Sequence, residues 1–160
     1  MQKKLGWSRY GNPKYVSAVY RYLVFSSNGK WGSPFVGKDW NSRVSSDFGW
    51  RTDPLNGKKA FHEGLDIAYP AGTKINAVSG GVVTSVVFSE TGYGHHIRVD
   101  CGNGVTVLYA HCSKILVTKG QSISTGQAIA EVGATGRVTG AHLHLGVLVN
   151  GKEVNPREYI

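Results

Sequence analysis

Short runs of β-branched residues separated by glycine-containing turns are the feature of this chain that most constrains its fold. Glycine occurs 22 times in 160 residues, and the Asn-Gly pairs at 56–57 and 150–151 are typical of tight turns between strands. Between such turns, residues 81–88 and 105–109 are rich in valine and other residues favoured in strands. The alternation predicts an all-β fold, built as an antiparallel sheet, sandwich or barrel.

One stretch near the amino terminus departs from this pattern. Asn12 is a helix-capping residue, Pro13 suits the first helical position, and apolar residues recur at helical spacing over 16–23, which predicts a short helix. The residues that follow are rich in serine, glycine and tryptophan, and they are predicted to be a linker or extended arm. The predicted division is a helix and linker over 1–38 and a compact β domain over 39–160.

The balance of charge bears on the kind of partner. A formal net charge of +8 favours binding to a polyanion: nucleic acid, an anionic membrane surface or a bacterial wall carrying teichoic acids. The alternative is that the charge serves only to keep the protein in solution. The basic residues are scattered and no nucleic-acid-binding motif occurs, so nucleic acid is not expected as a partner. No run of about 18 apolar residues is present, and membrane insertion is not expected either.

The two cysteines are predicted to be thiols and not a disulfide. Cys101 opens the turn of a predicted hairpin with strands over 96–100 and 105–111, and Cys112 follows the returning strand. A strand of that length places the two residues roughly 20 Å apart. A disulfide requires Cα atoms within about 7 Å of each other.

Two histidines, His142 and His144, stand two apart in a predicted strand. Side chains two apart point to the same face, so both imidazoles share one face while Leu143 and Leu145 face the core. A zinc with an open coordination position would explain two imidazoles on one polar face. Their Cα atoms lie about 6.6 Å apart, near enough for one to bind the metal and the other to reach a water on it. That division suits hydrolysis.

A second histidine motif pairs His62 with Asp66, four residues later. A straight strand would separate their Cα atoms by about 13 Å, too far for two ligands of one tetrahedral zinc. The chain must therefore bend between them, and Gly64 at the midpoint is predicted to supply the bend.

Three further histidines have weaker signals. His111 ends a predicted strand, and on spacing alone a structural role is the more common one for such a residue. His95 and His96 begin a predicted strand after a glycine turn and have no partner at metal-binding spacing. Neither spacing nor residue type alone assigns these three to a site.

The order of several sequence blocks resembles a known family. Together they are similar, over about residues 45–157, to the lysostaphin-like, LytM-type zinc endopeptidases of bacterial cell walls. The blocks lie at 61–68, 70–73, 80–83, 109–111, 126–127, 136–144 and 154–156.

The resemblance implies a role for each residue of the site. His62, Asp66 and His144 match the ligands of one zinc, while His111 and His142 match the two other histidines that activate the water and stabilise the oxyanion. The implied fold is the duplicated hybrid motif of LytM, acting as a monomeric domain. The implied reaction is hydrolysis of a peptide bond in a peptidoglycan stem peptide or cross-bridge, outside the cytoplasm.

Two other functions remain open from the sequence. A metal-free relative of the same fold would serve as a wall-binding or activating module, although such relatives lose ligands or catalytic histidines. A related zinc D-alanyl peptidase or amidase would also use a His, Asp, His set. Leu145 and Gly146 stand where an aromatic and an acidic residue often follow the histidine pair in the family, which bears on substrate preference. Glu63, beside a ligand, is predicted to be a surface residue that points away from His62.

The amino-terminal residues 10–23 resemble the closing segment of lysozyme-like wall-degrading domains of phages and mobile elements. This resemblance predicts an upstream domain in the natural protein. Residues 1–10 contain lysines but no apolar stretch, so they do not match a signal peptide. Delivery by a phage particle, or as part of a larger exported protein, is the expected route to the wall.

Overall fold

The computed structural model describes residues 31–160, which form antiparallel strands joined by turns. Two single 3-10 turns, Asn41–Arg43 and Pro156–Glu158, are the only helical segments within that range. The strands are β1 (Val44–Ser46), β2 (Gly49–Thr52), β3 (Lys59–His62), β4 (Leu65–Ile67), β5 (Lys74–Asn76), β6 (Gly81–Val87), β7 (His95–Gly102), β8 (Val105–Ile115), β9 (Ser122–Ile123), β10 (Ala128–Val132), β11 (Leu143–Val149) and β12 (Lys152–Val154).

These strands form one large sheet and one small one. The large sheet has ten strands and runs β1-β4-β11-β8-β7-β6-β9, with β12 beside β11, β10 beside β8, and β5 beyond β10. The small sheet is the β2–β3 hairpin. The prediction of an all-β antiparallel fold is confirmed. No helix within 31–160 is long and apolar enough to cross a membrane. The predicted helix over 12–23 lies outside the described residues.

The core is built from the alternation of β11 and its neighbours. Leu143, Leu145 and Val147 are each fully buried, as the spacing of the histidine motif predicts. They face a continuous cluster with residues of β4, β8 and β10, for example Tyr109, whose hydroxyl accepts a hydrogen bond from the backbone N–H of Val78 at 3.0 Å. Packing on one face of β11 leaves its other face for the site.

Residues 31–38 differ from the linker that the sequence predicts. Trp31 and Phe35 are 5% and 0% exposed and belong to the core. The backbone N–H of Trp31 donates to the carbonyl of Tyr159 at 2.6 Å, and that of Gly32 donates to the carbonyl of Val78 at 2.9 Å. The packed domain therefore includes residues before 39. Large aromatic side chains in a glycine- and serine-rich stretch were the available signal, because their burial stabilises a fold.

The cysteines lie as predicted, at opposite ends of the β7–β8 pair, and no disulfide joins them. Cys101 precedes the turn, whereas Cys112 pairs with His95 at the other end. Cys112 is fully buried, and this burial raises the pKa of its thiol to about 12.

The Cys112 thiol makes the stability of the domain depend on pH above about 9. An unfolded thiol ionises near pH 8.5, whereas the folded thiol keeps its proton to a pH of about 12, so rising pH favours the unfolded chain. As pH rises through this range, we expect the unfolding free energy of the parent to fall, relative to that of Cys112→Ala, by about 1.4 kcal/mol per pH unit. Urea unfolding at pH 7 to 10.5 measures it. A difference that does not change with pH would show that the thiol titrates normally.

Candidate metal centre

Strand pairing brings the predicted ligands together. His144 of β11 lies directly opposite Asp66 of β4, so their side chains project side by side from one face. His62 ends β3 in the small sheet, and the chain enters the large sheet at Leu65. The change of sheet takes place across Glu63 and Gly64, where the sequence predicts a bend.

The three side chains converge on one point. His62 Nε2 lies 3.2 Å from Asp66 Oδ2, and His144 Nδ1 lies 2.9 Å from Asp66 Oδ1. One ligand atom from each residue lies within 4.8 Å of the others, and all three residues are buried. Two imidazole nitrogens and one carboxylate oxygen form the donor set of a catalytic zinc that keeps a position open for water.

Hydrogen bonds outside the cluster orient the His62 ring. Its Nδ1 donates to the backbone carbonyl of Asp47 at 2.9 Å, which leaves the lone pair of Nε2 directed at Asp66. Such an outer partner fixes the tautomer of a metal-ligating histidine. His144 uses the opposite nitrogen: Nδ1 faces Asp66, while Nε2 is buried and has no hydrogen-bond partner among the described residues.

Asp66 is held as a carboxylate. Burial acts to raise its pKa, but the hydrogen bond from His144 Nδ1 and the His62 imidazole beside the carboxylate outweigh that effect, and the net pKa lies well below its usual range. The anion is therefore present at neutral pH. A deprotonated carboxylate between two imidazoles favours a divalent cation over a neutral or anionic ligand.

Two further histidines border the cluster. His142 Nε2 lies 3.6 Å from Asp66 Oδ1, and the ring centroid of His111 lies 5.0 Å from that of His142. The Nδ1 atoms of His111 and His142 donate to the carbonyls of Thr135 and Gly140, at 2.7 and 2.9 Å. Each ring therefore keeps its Nε2 lone pair for the cleft. Burial is the main cause that lowers the pKa of His111 to about 4, so this imidazole is neutral at neutral pH.

The backbone of His111 has an unusual conformation. Its φ of 65° lies in the left-handed region, where non-glycine residues are uncommon. Opposite it, His95 pairs with Cys112 and Ile97 with Tyr109, so β8 carries one extra residue at this point. This β-bulge turns the His111 side chain toward the cluster, a use that bulges often serve near active sites. Holding the strained residue costs about 1–3 kcal/mol.

The remaining histidines and groove residues lie around this centre. His95 Nδ1 accepts from the N–H of Ser89, and His96 Nδ1 donates to the carbonyl of Gly94, so neither joins the cluster. The cleft over the cluster has a volume of about 700 Å³. Its lining includes Tyr93, Arg137 and Glu63, and the Glu63 carboxylate accepts a hydrogen bond from the Tyr93 hydroxyl at 3.2 Å.

Gly64 is needed for space beside the His144 ring. A Cβ built there would lie 2.6 Å from the carbonyl oxygen of Leu145 and 2.7 Å from His144 Nε2. We expect Gly64→Ala to displace the imidazole and weaken zinc binding at least about 10-fold, the effect of disturbing a ligand's support. Gly146→Ala, on the strand that carries His144, is the matched control, because its Cβ would make an ordinary contact of 3.4 Å with Leu108. Competition with a zinc-sensitive dye measures both variants, and equal affinities would disprove this role of Gly64.

Comparison with known proteins identifies the family. The model of peptidase family M23 matches residues 60–156, more than half of the chain and all five histidine and aspartate positions of the site. The chain belongs to peptidase family M23. Over 115 residues it is 41% identical to the DD-carboxypeptidase/endopeptidase Mpg of Neisseria meningitidis, covering 72% of this chain and 26% of that protein. It thus spans about a quarter of the length of this curated relative.

Two solved structures share the M23 fold. A zinc-containing peptidase from Vibrio cholerae is 29% identical with a TM-score of 0.69, covering 82% of this chain and 44% of that chain. The catalytic domain of lysostaphin from Staphylococcus simulans is 29% identical with a TM-score of 0.65, covering 72% and 89%. The resemblance found in the sequence is confirmed. In this M23 domain, His62, Asp66 and His144 form the zinc site.

Proposed function

We propose that this M23 domain hydrolyses peptide bonds in the stem or cross-bridge peptides of peptidoglycan. The observation that carries the proposal is the pairing of a buried His, Asp, His zinc site with two further histidines at its edge, at the base of one open cleft. A metal-free binding module has no use for two anchored histidines beside the ligands. Peptidoglycan hydrolases of family M23 act at the cell wall, outside the cytoplasm.

The chemistry divides between the ligands and the other two histidines. His62, Asp66 and His144 would hold the zinc, which when bound would act as a Lewis acid and lower the pKa of water. His111 and His142 each donate from Nδ1 to a backbone carbonyl, so Nε2 is the atom that takes the proton of the water that attacks the scissile carbonyl. The resulting imidazolium then donates to the developing oxyanion and protonates the leaving amine. No covalent bond between enzyme and substrate is required.

The name of the Neisseria relative supports a second candidate. It is called a DD-carboxypeptidase as well as an endopeptidase. Both activities add water to a peptide bond. A carboxypeptidase releases the last residue of a stem peptide, whereas an endopeptidase cuts a bond within the peptide. The same five residues would serve either reaction.

The identity of the cleaved bond tests the proposal. A defined cross-linked muropeptide dimer and an uncross-linked pentapeptide muropeptide are incubated with the zinc-loaded chain, and the products are weighed by mass spectrometry. We expect each cleavage to add one water at a peptide bond, converting dimers into monomers. Products cut only in the sugar chain, or only at the amide joining sugar to peptide, would refute peptidase action.

The setting of the reaction remains part of the proposal. Delivery by a phage particle, or as part of a larger exported protein, accounts for action at the wall. The net charge of +8 supports contact with anionic wall polymers in addition to the peptide substrate. We propose that the domain acts as a monomer, because its five site residues all come from one chain.

A further inference from the structure

The β2–β3 hairpin contributes a basic side chain to the lining of the cleft. Residues 49–62 contain Arg51, Lys58 and Lys59 but a single acidic residue, Asp53. Asp53 is already engaged, because Arg137 NH1 and NH2 lie 3.2 and 3.4 Å from its two carboxylate oxygens. Of the three basic residues of the hairpin, Arg51 lines the cleft, whereas Lys58 and Lys59 do not.

Strand register directs Arg51 toward the zinc ligands. Arg51 pairs with Ala60, and Gly49 pairs with His62. Because directly opposite residues share a face, Arg51 and His62 lie on the same face as diagonal neighbours, about 7–8 Å apart. Gly49 contributes no side chain between them. Both Arg51 and His62 line the cleft.

The Arg51 guanidinium is near enough to Asp53 to help lower the pKa of that carboxyl, but one of its buried nitrogens has no hydrogen-bond partner in the part of the chain that the structure describes. Its Nε is buried and has no hydrogen-bond partner within residues 31–160. In the same range Arg51 takes part in none of the ion pairs. A buried donor left unpaired is costly, and an acceptor on a ligand would satisfy it.

Arg137 also lines the cleft and contacts the turn of the same hairpin. Its backbone N–H donates to the carbonyl of Gly92 at 2.8 Å, and its guanidinium clamps Asp53. The clamp ties the loop before His142 to the hairpin and keeps the Asp53 carboxylate occupied. Arg137 remains 51% exposed at the cleft.

We propose that Arg51 binds a carboxylate group of the peptide substrate next to the scissile bond. This inference rests on the proposed peptidase function and names its substrate class, an anionic peptide in preference to a neutral glycine bridge. A guanidinium fork matches a carboxylate with two parallel hydrogen bonds. The carboxylate comes either from the carboxyl terminus of a stem peptide or from the side chain of a diamino acid at the cross-link.

Paired substrates that differ by one amide test the inference. Kinetics are measured on a cross-linked dimer with both carboxylates free, on one amidated at the stem terminus, and on one amidated at the diamino acid. We expect wild type to lose about 10- to 100-fold in kcat/KM on one of the two amidated substrates, which identifies the source. Arg51→Gln should lose the same factor on the free substrate, mainly through KM, and no more on that amidated one.

Matched variants separate binding from folding. Lys59→Gln removes the same charge from the same hairpin but does not line the cleft, so we expect its preference to equal that of wild type. Arg51→Lys keeps the charge without the fork and should lie between Arg51→Gln and wild type. Thermal unfolding checks that each variant is folded.

The outcomes distinguish this inference from the proposed function. If wild type cleaves all three substrates at equal rates, peptidase action stands and carboxylate recognition is wrong. The same conclusion follows if Arg51→Gln loses activity equally on free and amidated substrates. If wild type cleaves none of them, the proposed function itself fails. The preference of wild type needs no variant, so the test does not depend on whether Arg51→Gln folds.

Discussion

His144→Ala will lose zinc and peptidoglycan digestion together. His144 supplies one of three ligands, lies directly across the strand pair from Asp66, and holds Nδ1 2.9 Å from its carboxylate. Removing an outer partner of a ligand costs about 10- to 100-fold in affinity or activity. Removing the ligand itself should exceed that range. Zinc content after dialysis, measured by mass spectrometry of the native protein, and digestion of a cross-linked dimer provide the two readouts.

A histidine outside the cluster is the control. His95→Ala removes an imidazole that lies outside the cluster, where it accepts from the N–H of Ser89 and packs against Phe88, and we expect full zinc content and activity. Circular dichroism and thermal unfolding establish that both variants are folded. A folded His144→Ala protein that keeps its zinc and digests the dimer at the parent rate would show that the ligand set is wrong.

His111→Asn will keep zinc but lose turnover. His111 is not a ligand, and its Nδ1 is anchored to the Thr135 carbonyl. We expect kcat to fall about 100- to 10,000-fold, the usual contribution of general acid-base catalysis. Asparagine is the suitable replacement because it tolerates the left-handed backbone at φ 65° better than most residues. The loss therefore reports on chemistry and not on the bulge.

The comparison of kcat with zinc affinity decides the role of His111. An unchanged zinc dissociation constant with reduced kcat supports proton transfer. Equal losses in both quantities would instead make His111 a support for the metal. His142→Asn follows the same logic, although His142 lies nearer to Asp66, at 3.6 Å. Rates that stay at the parent level in both variants would exclude histidine catalysis at this site.

Much of the fold was predictable because period-two alternation and turn chemistry are local properties. β11 buries Leu143 and Leu145 on one face, as the spacing requires. The predicted start of the compact domain at residue 39 was too late, because the contacts that include residues 31–38 are not local. Glycine and serine near Trp31 and Phe35 have weak local preferences, and contacts with distant residues make this stretch part of the domain.

The zinc ligands were predictable from residue type and the family resemblance, but their support was not. His62 and His111 are oriented by backbone carbonyls, of Asp47 and Thr135, and a carbonyl has no residue-specific signal in a sequence. The bulge that turns His111 also leaves no signal in the sequence, because it depends on how β8 pairs in register with β7. The sequence predicts a bend at Gly64, whereas the close approach of Gly64 to the His144 ring is visible only in the structure.

Zinc titration of the metal-free protein, followed by the rate of cleavage of a defined cross-linked muropeptide dimer, tests the link between the cluster and the reaction most directly. We expect no cleavage without zinc and a rate that rises in proportion to bound zinc, reaching its maximum at one zinc per chain, as a single buried His, Asp, His site requires. Full cleavage by the metal-free protein, or a maximum only at two zinc ions per chain, would rule out the single-zinc peptidase site described for this M23 domain.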